Sequence, residues 1–224
     1  MEKAIGPAWE RLLAVLQEHA RTISIVAVTL IIIVGGILLN RNRRESRRIQ
    51  AAETLRQAVN DFYDARKADE PDYRNAVASL SNLMESHPGS PAAAQAAMYL
   101  GHIYYAEGDY AKSLEKYRKA SASLNSDSPF LEVALLDVAY TLEAQKKYAR
   151  ARAAYTRVID LNGGVLKDRA IIGIARCFEQ EGNLKNAVRT YRSVLKRFPN
   201  SPWAGELRQR LDMLQADIKG AKTN

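Results

Sequence analysis

The chain has 224 residues, 47% hydrophobic and 26% charged, with 12 Gly and 7 Pro; this composition excludes wholesale disorder and leaves room for one or two domains. A single cysteine, Cys177, excludes a disulfide framework and a cysteine-based zinc site, and His19, His87 and His102 stand too far apart for metal-ligand spacing. The net charge of +8, from 33 Lys+Arg against 25 Asp+Glu, suggests an acidic partner, nucleic acid or anionic lipid, and its placement decides which.

Residues 1–21 form an N-terminal segment. Ile5, Trp9, Leu12, Leu13, Leu16 and Ala20 recur at helical spacing after Pro7. This predicts a short amphipathic helix at a membrane interface, with Trp9 at headgroup level; a frayed tail is the alternative. Residues 22–40, TISIVAVTLIIIVGGILLN, carry no charge. At about 1.5 Å per residue they make roughly 28 Å of helix, close to the ~30 Å of a hydrocarbon core, and predict a transmembrane helix. Adjacent Gly35 and Gly36 are not the spaced small-residue motif of helix dimers. The run ends in Leu38-Leu39-Asn40-Arg41 without a small-residue cleavage site, so an uncleaved anchor is expected, not a signal peptide. No cysteine lies close behind it, which argues against a lipoprotein.

Residues 41–69 are predicted as a basic juxtamembrane stretch and a leading helix. Within 41–60 lie Arg41, Arg43, Arg44, Arg47, Arg48 and Arg56 against only Glu45 and Glu53, half of the net charge. Arg41, Arg43, Arg44, Arg47 and Arg48 are expected to touch lipid headgroups or fix topology. Residues 61–224 hold 24 basic and 20 acidic residues, too thin a spread for a nucleic-acid domain. A nucleic-acid or anionic-lipid binder, resting on the arginine strip alone, remains the alternative of another class. The same strip places the C-terminal domain in the cytoplasm by the positive-inside rule, although long domains cross membranes despite flanking charge.

Residues 70–200 repeat. LSNLMESHPGSPAAAQAAMYL (80–100) and YRSVLKRFPNSPWAGELRQRL (191–211) align without gaps at an offset of 111, three times 37. Each reads as a helix end, a turn and a new helix, with Ser90 and Ser201 as N-caps and Pro91 and Pro202 in the first turn. The stretch divides into three units after an earlier half-unit, which has Tyr73, Ala76, Leu80, Leu83 and Pro88 in second-helix positions and a first helix, roughly 46–68, that departs from the pattern. Ala97, Leu100, Gly101 and Tyr104 lead through Gly108-Asp109-Tyr110 to Ser113, Tyr117 and Ala120. Leu135, Val138, Ala139 and Leu142 lead to Tyr148, Ala151, Tyr155 and Val158. Ile171, Ile174, Ala175 and Phe178 lead through Gly182-Asn183-Leu184 to Ala187, Tyr191 and Val194. Residues 201–224 are predicted as a capping helix and tail, with Leu207, Leu211 and Leu214 buried and Glu206, Arg208, Arg210 and Asp212 facing solvent.

This pattern resembles the tetratricopeptide repeat (TPR), without its first tryptophan but with its small residue kept as Gly101, Ala139 and Ala175. The resemblance implies an all-α fold, a TPR-like solenoid of helical hairpins behind an N-terminal transmembrane helix. The P-x-S-P-x-A turns at 88–93 and 199–204 are similar to those of bacterial cell-envelope TPR proteins, and the anchor-plus-repeats plan is similar to the ancillary subunit of the SecYEG translocon. It further implies a membrane-anchored adaptor in the bacterial inner membrane with periplasmic repeats, binding protein partners at the translocon or in envelope assembly; a cytoplasm-facing scaffold is the alternative. By the family's geometry the partner groove takes Gln95, Met98, His102 and Tyr105, then Leu136, Tyr140 and Glu143, then Arg169, Ile172, Arg176 and Glu179. Met98, Leu136 and Ile172 are equally suited to packing between hairpins. No phosphate loop, nucleophile set or metal cluster is recognisable, so neither enzyme activity, nor a metal, nor a cofactor is expected. Tyr117, Tyr155 and Tyr191 read as packing residues and Cys177 as an inert buried thiol.

Overall fold

A computed structural model describes residues 20–220, and the division into compact units falls between Gln50 and Ala51. The described residues form nine helices and no strand. They are α1 (Ala20–Lys67), α2 (Arg74–Ser86), α3 (Pro91–Ala106), α4 (Tyr110–Ser123), α5 (Pro129–Ala144), α6 (Tyr148–Ile159), α7 (Lys167–Gln180), α8 (Leu184–Arg197) and α9 (Ala204–Gly220). The amphipathic segment expected at 1–21 lies outside the described residues, except for the helical backbone of its last two positions.

In the first unit, residues 20–50 are helical, and the described apolar side chains of the 22–40 run are exposed: Ile25, Val28 and Leu30 through Val34, then Ile37 to Leu39, all at 51% or more. No helix among the described residues is long and apolar enough to cross a membrane. The side chains of Thr22, Ile23, Val26 and Ala27 are outside the description, and the uninterrupted stretch that is described, 28–40, covers only about 20 Å of helix. The arginines of 41–48 are exposed, and their one ion pair with Glu45, from Arg48, is long at 3.9 Å.

The second unit is a stack of antiparallel hairpins. Each helix from α2 onward packs on its neighbours in sequence, and the first helices of successive hairpins, α3, α5 and α7, also touch one another. The stack begins with the earlier half-unit, although its first helix departs from the repeat pattern. Ala51, Ala58 and Phe62 at the C-terminal end of α1 are buried with Leu80 and Leu83 of α2 and Leu100 and Ile103 of α3. Their spacing of seven and four residues is that of a helix presenting one face.

Local chemistry sets the element ends. Ser90 Oγ accepts from the amide of Ala93 at 3.0 Å with Pro91 at the first helical position. Asp109 caps α4 through the Lys112 amide, and Asn183 caps α8 through the Asn186 amide. The predicted cap at Ser201 is different. Its hydroxyl donates to Asp168 at 2.6 Å, and only a long 3.4 Å contact reaches it from the Trp203 amide. The last helix accordingly begins at Ala204, three residues after Ser201, whereas α3 begins directly after Ser90.

Close helix packing depends on two glycines. A Cβ on Gly101 would lie 2.6 Å from the Tyr117 ring, and one on Gly173 would overlap the ring of Tyr155. Tyr117, Tyr155 and Tyr191 are all buried, each in the second helix of its hairpin. Cys177 is also buried, and burial pushes its thiol up to about 12, which leaves it inert at neutral pH.

Candidate functional site

The first helices of the hairpins line a groove of three abutting cavities. The first, about 550 Å3, lies between the C-terminal turns of α1, α3 and the start of α5; Phe62, Tyr63, Tyr73, Met98, Tyr99, Tyr105 and Phe130 supply its apolar wall. A middle cavity of about 390 Å3 shares Tyr105 with the first. It shares Tyr140, Arg176 and Gln180 with a third cavity of about 580 Å3, closed by Trp203 and Met213 beside α9.

The structure distributes the sequence-predicted groove residues among these cavities. Gln95, Met98, His102 and Tyr105 line the first cavity, Tyr140 and Glu143 the middle one, and Arg169, Ile172, Arg176 and Glu179 the third. Leu136 does not reach the groove. It is 2% exposed and packs in the core that α5 forms with α4, α6 and α7, the geometry of its packing reading. Met98, although buried, still forms part of the first cavity's wall.

Aromatic contacts shape the first cavity. Phe62 meets Tyr99 edge-on at 5.3 Å and stacks on Tyr73 at 5.8 Å, while Tyr99 and Tyr117 both contact His102 edge-on. His102 Nε2 lies 3.2 Å from Asp137 of the next hairpin. These rings come from α1 and the loop before α2 as much as from α3. In sequence the first helix of this earlier half-unit departs from the repeat pattern, so Phe62, Tyr63 and Tyr73 are absent from the expected groove.

The rest of the groove is built on charge. Arg176 donates from Nε and Nη2 to the two oxygens of Glu143, both at 2.7 Å, and the Tyr155 hydroxyl donates to the same carboxylate at 2.5 Å. One repeat on, Glu179 accepts from Arg210 of α9 and from the Tyr191 hydroxyl at 3.1 Å. Arg210 is therefore not a solvent-facing cap residue but a half-buried tie between α9 and α7. Burial raises the Tyr155 phenol far above its ordinary value, with Glu143 adding to the effect, and pushes Tyr191 up to about 12. For Arg176, burial works against the charge, but its hydrogen bonds and attraction to Glu143 outweigh this and hold it firmly cationic. Arg176 also lies over the Tyr140 ring at 5.4 Å, and Arg169 over Trp203 at 5.5 Å.

A third carboxylate fixes the longest turn in the stack. Glu132, nearly buried in α5, accepts from the amides of Val165 at 3.0 Å and Leu166 at 2.7 Å. A Cβ at Gly164 would come 2.5 Å from Glu132 Oε1, so glycine at this position leaves room for the carboxylate. Nothing in this geometry positions a nucleophile beside a base, and among the described residues no group of His, Cys, Asp and Glu is arranged to hold a metal.

A family model described as a tetratricopeptide repeat-like domain matches residues 14–162, and a second, tetratricopeptide repeat, matches 136–202. No curated protein matches the chain. Among solved structures, one of nearly identical TPR-like repeats from a putative kinesin light chain of Podosopora anserina has a TM-score of 0.54 at 15% identity; the match covers 80% of this chain and 89% of that one. MamA matches with a TM-score of 0.48 at 14% identity, over 68% of this chain and 92% of its own. YrrB, described as a TPR protein with an unusual peptide-binding site, matches with a TM-score of 0.44 at 19% identity, over 66% of this chain and 82% of its own. The hairpin stack, the small residues beneath the tyrosines and a family match over more than half its length lead to one conclusion: the chain belongs to the tetratricopeptide repeat-like domain family.

Proposed function

We propose that this protein is a membrane-anchored adaptor that holds a protein partner in the groove of its repeats. One observation carries the reading. Of the six large hydrophobic residues exposed among the described residues of the second unit, Tyr63, Tyr105, Phe130, Trp203 and Met213 line the first or third cavity, and only Val165 does not. Exposed apolar surface gathered into one groove is the mark of an interaction site, whereas scattered residues need no explanation.

Membrane anchoring rests on separate support. The described apolar side chains of 22–40 face outward all round the helix, as lipid contact requires, and Thr29 returns its hydroxyl to the Ile25 carbonyl at 2.8 Å, leaving that polar group satisfied. The arginines of 41–48 stand where headgroups would meet them. The family match starts at residue 14, so it takes in this run together with the repeats. On this reading the chain crosses the bacterial inner membrane once. The repeats face the periplasm and serve the translocon or envelope assembly. A cytoplasm-facing scaffold is favoured by the arginine strip itself. A phosphatase fused after Asn224, active only in the periplasm, discriminates between these placements.

The adaptor reading is tested by photocrosslinking in cells from Tyr105, in the groove, and from Val165, which is more exposed but lies off it. Crosslinks to one partner from Tyr105 and none from Val165 are expected. The reverse pattern moves the binding surface and ends the groove reading.

A further inference from the structure

We infer that the groove's partner segment is an acidic peptide with one bulky apolar side chain, anchored in the aromatic first cavity and read through a carboxylate by Arg169 at the far end. This rests on the groove reading above and names the chemistry of its ligand.

Charge complementarity carries it. The first cavity has no Asp or Glu in its lining, while Arg66 stands at its edge without a carboxylate partner among the described residues. His102, its other basic group, is already faced by Asp137. An apolar side chain fits this wall, and no carboxylate in it attracts a neighbouring cation. In the middle and third cavities Glu143 and Glu179 also line the groove, but each is saturated by an arginine and a tyrosine hydroxyl. A lysine or arginine from a ligand would have to displace those bonds. Glu206 is the one lining carboxylate of the groove that no cation engages among the described residues.

The cations differ. Lys146 and Arg169 face the middle and third cavities, and neither has a carboxylate partner among the described residues. The Arg169 guanidinium is instead held over Trp203, so its donors are pre-positioned without being used. An incoming carboxylate meets a fixed cation that loses little freedom on binding.

The test uses the full chain in non-ionic detergent micelles and fluorescence anisotropy. The probe is a labelled decapeptide of Asp, Ser and Gly with a single Phe. Its counterparts replace every Asp by Asn, every Asp by Lys, or the Phe by Ala. The parent is expected to bind about tenfold or more tightly than the Asn counterpart, the size of one charge-assisted contact. Arg169→Ala weakens the parent by about the same factor and leaves the Asn counterpart unchanged; Arg66→Ala, at another exposed position, is a second variant should the first lose its helical signal. The Phe→Ala peptide binds at least tenfold more weakly than the parent. Equal binding of the Asn or Lys peptide, abolished by Phe130→Asp, overturns the acidic preference while the groove reading stands. Failure of every peptide overturns both. Equal binding of a short oligothymidylate reduces the effect to general attraction of anions and overturns the proposal.

Discussion

At the aromatic end of the groove, position 105 holds a tyrosine; 38 and 74 residues on, the equivalent positions 143 and 179 hold glutamates. Where the glutamates stand, each ties the tyrosine hydroxyl of its own hairpin to an arginine of the next first helix or of α9. Where the tyrosine stands no such tie forms; its ring rests edge-on against Tyr110 at 5.2 Å and borders an open apolar cavity. One repeat position, changed in residue type, thus separates a groove end that is cross-linked by charge from one that borders an open apolar cavity. Binding surface and rigidity are distributed unequally along a nearly regular scaffold.

The largest way to break this comparison is to remove a tyrosine at each end. Tyr155 is fully buried against Gly173, holds Glu143 and meets Tyr140 edge-on at 5.7 Å. Tyr155→Ala should cost about 4 kcal/mol, the range of aromatic truncations in cores. Tyr105 is 38% exposed, and Tyr105→Ala should cost about 1 kcal/mol or less. In a chain of this size the difference corresponds to roughly 10 °C in Tm, read by circular dichroism in detergent. Equal losses would mean that the charged ties do not distinguish the two ends.

Alkaline pH sharpens the same contrast less strongly. Tyr117, Tyr155 and Tyr191 have phenols raised by burial, so the folded stack keeps their protons at pH values where the unfolded chain releases them. A raised folded value means that stability is complete below the unfolded value of about 10 and falls as pH climbs above it, by up to about 1.4 kcal/mol per tyrosine per pH unit. For Tyr191 the fall levels off near its folded value of about 12. Urea unfolding across pH 9 to 11 should show the decline, and Tyr155→Phe should make it shallower. A slope unaffected by that substitution would show that other groups titrate.

Much of this was legible because repeats leave a periodic record. The small residues at 101, 139 and 175, the tyrosines at 117, 155 and 191, and the turns before Pro91 and Pro202 mark hairpins at a fixed step, and all three tyrosines are buried where that step puts them. The residues expected to face the groove from the first helices line cavities there, from Gln95 to Glu179, with Leu136 the exception. What escaped was side-chain pairing across hairpins. Arg210 looked like a polar cap residue because a sequence shows polarity but not the half-buried carboxylate awaiting it. The 12-residue step from Glu143 to Tyr155, repeated from Glu179 to Tyr191, was a readable signal for the ties. Phe62 and Tyr63 escaped because α1 carries no repeat signature, only a buried face seen once α2 and α3 pack on it.

The smallest predicted effect concerns a place where the scaffold is regular in shape but not in sequence. The first and third hairpins turn through Gly108 and Gly182, at φ +78 and +75, and the second makes the same turn through Lys146, at φ 58. Its amide bonds to the Glu143 carbonyl at 2.8 Å and that of Lys147 to the Leu142 carbonyl at 2.9 Å, the same closure made by Gly182 and Asn183. A side chain in the left-handed region costs about 1–2 kcal/mol, and glycine returns part of that gain through the entropy of the unfolded chain. Lys146→Gly should therefore raise stability by about 0.5–1 kcal/mol, or about 2 °C in Tm, while Gly182→Ala should lower it by about 1 kcal/mol. The same lysine faces the middle cavity. If Lys146→Gly stabilises the stack and also weakens the acidic peptide, the strain in this turn is tied to a cation the groove uses. If stability rises with binding unchanged, Lys146 lies outside the recognition surface, and the charge reading of the groove narrows to Arg66 and Arg169.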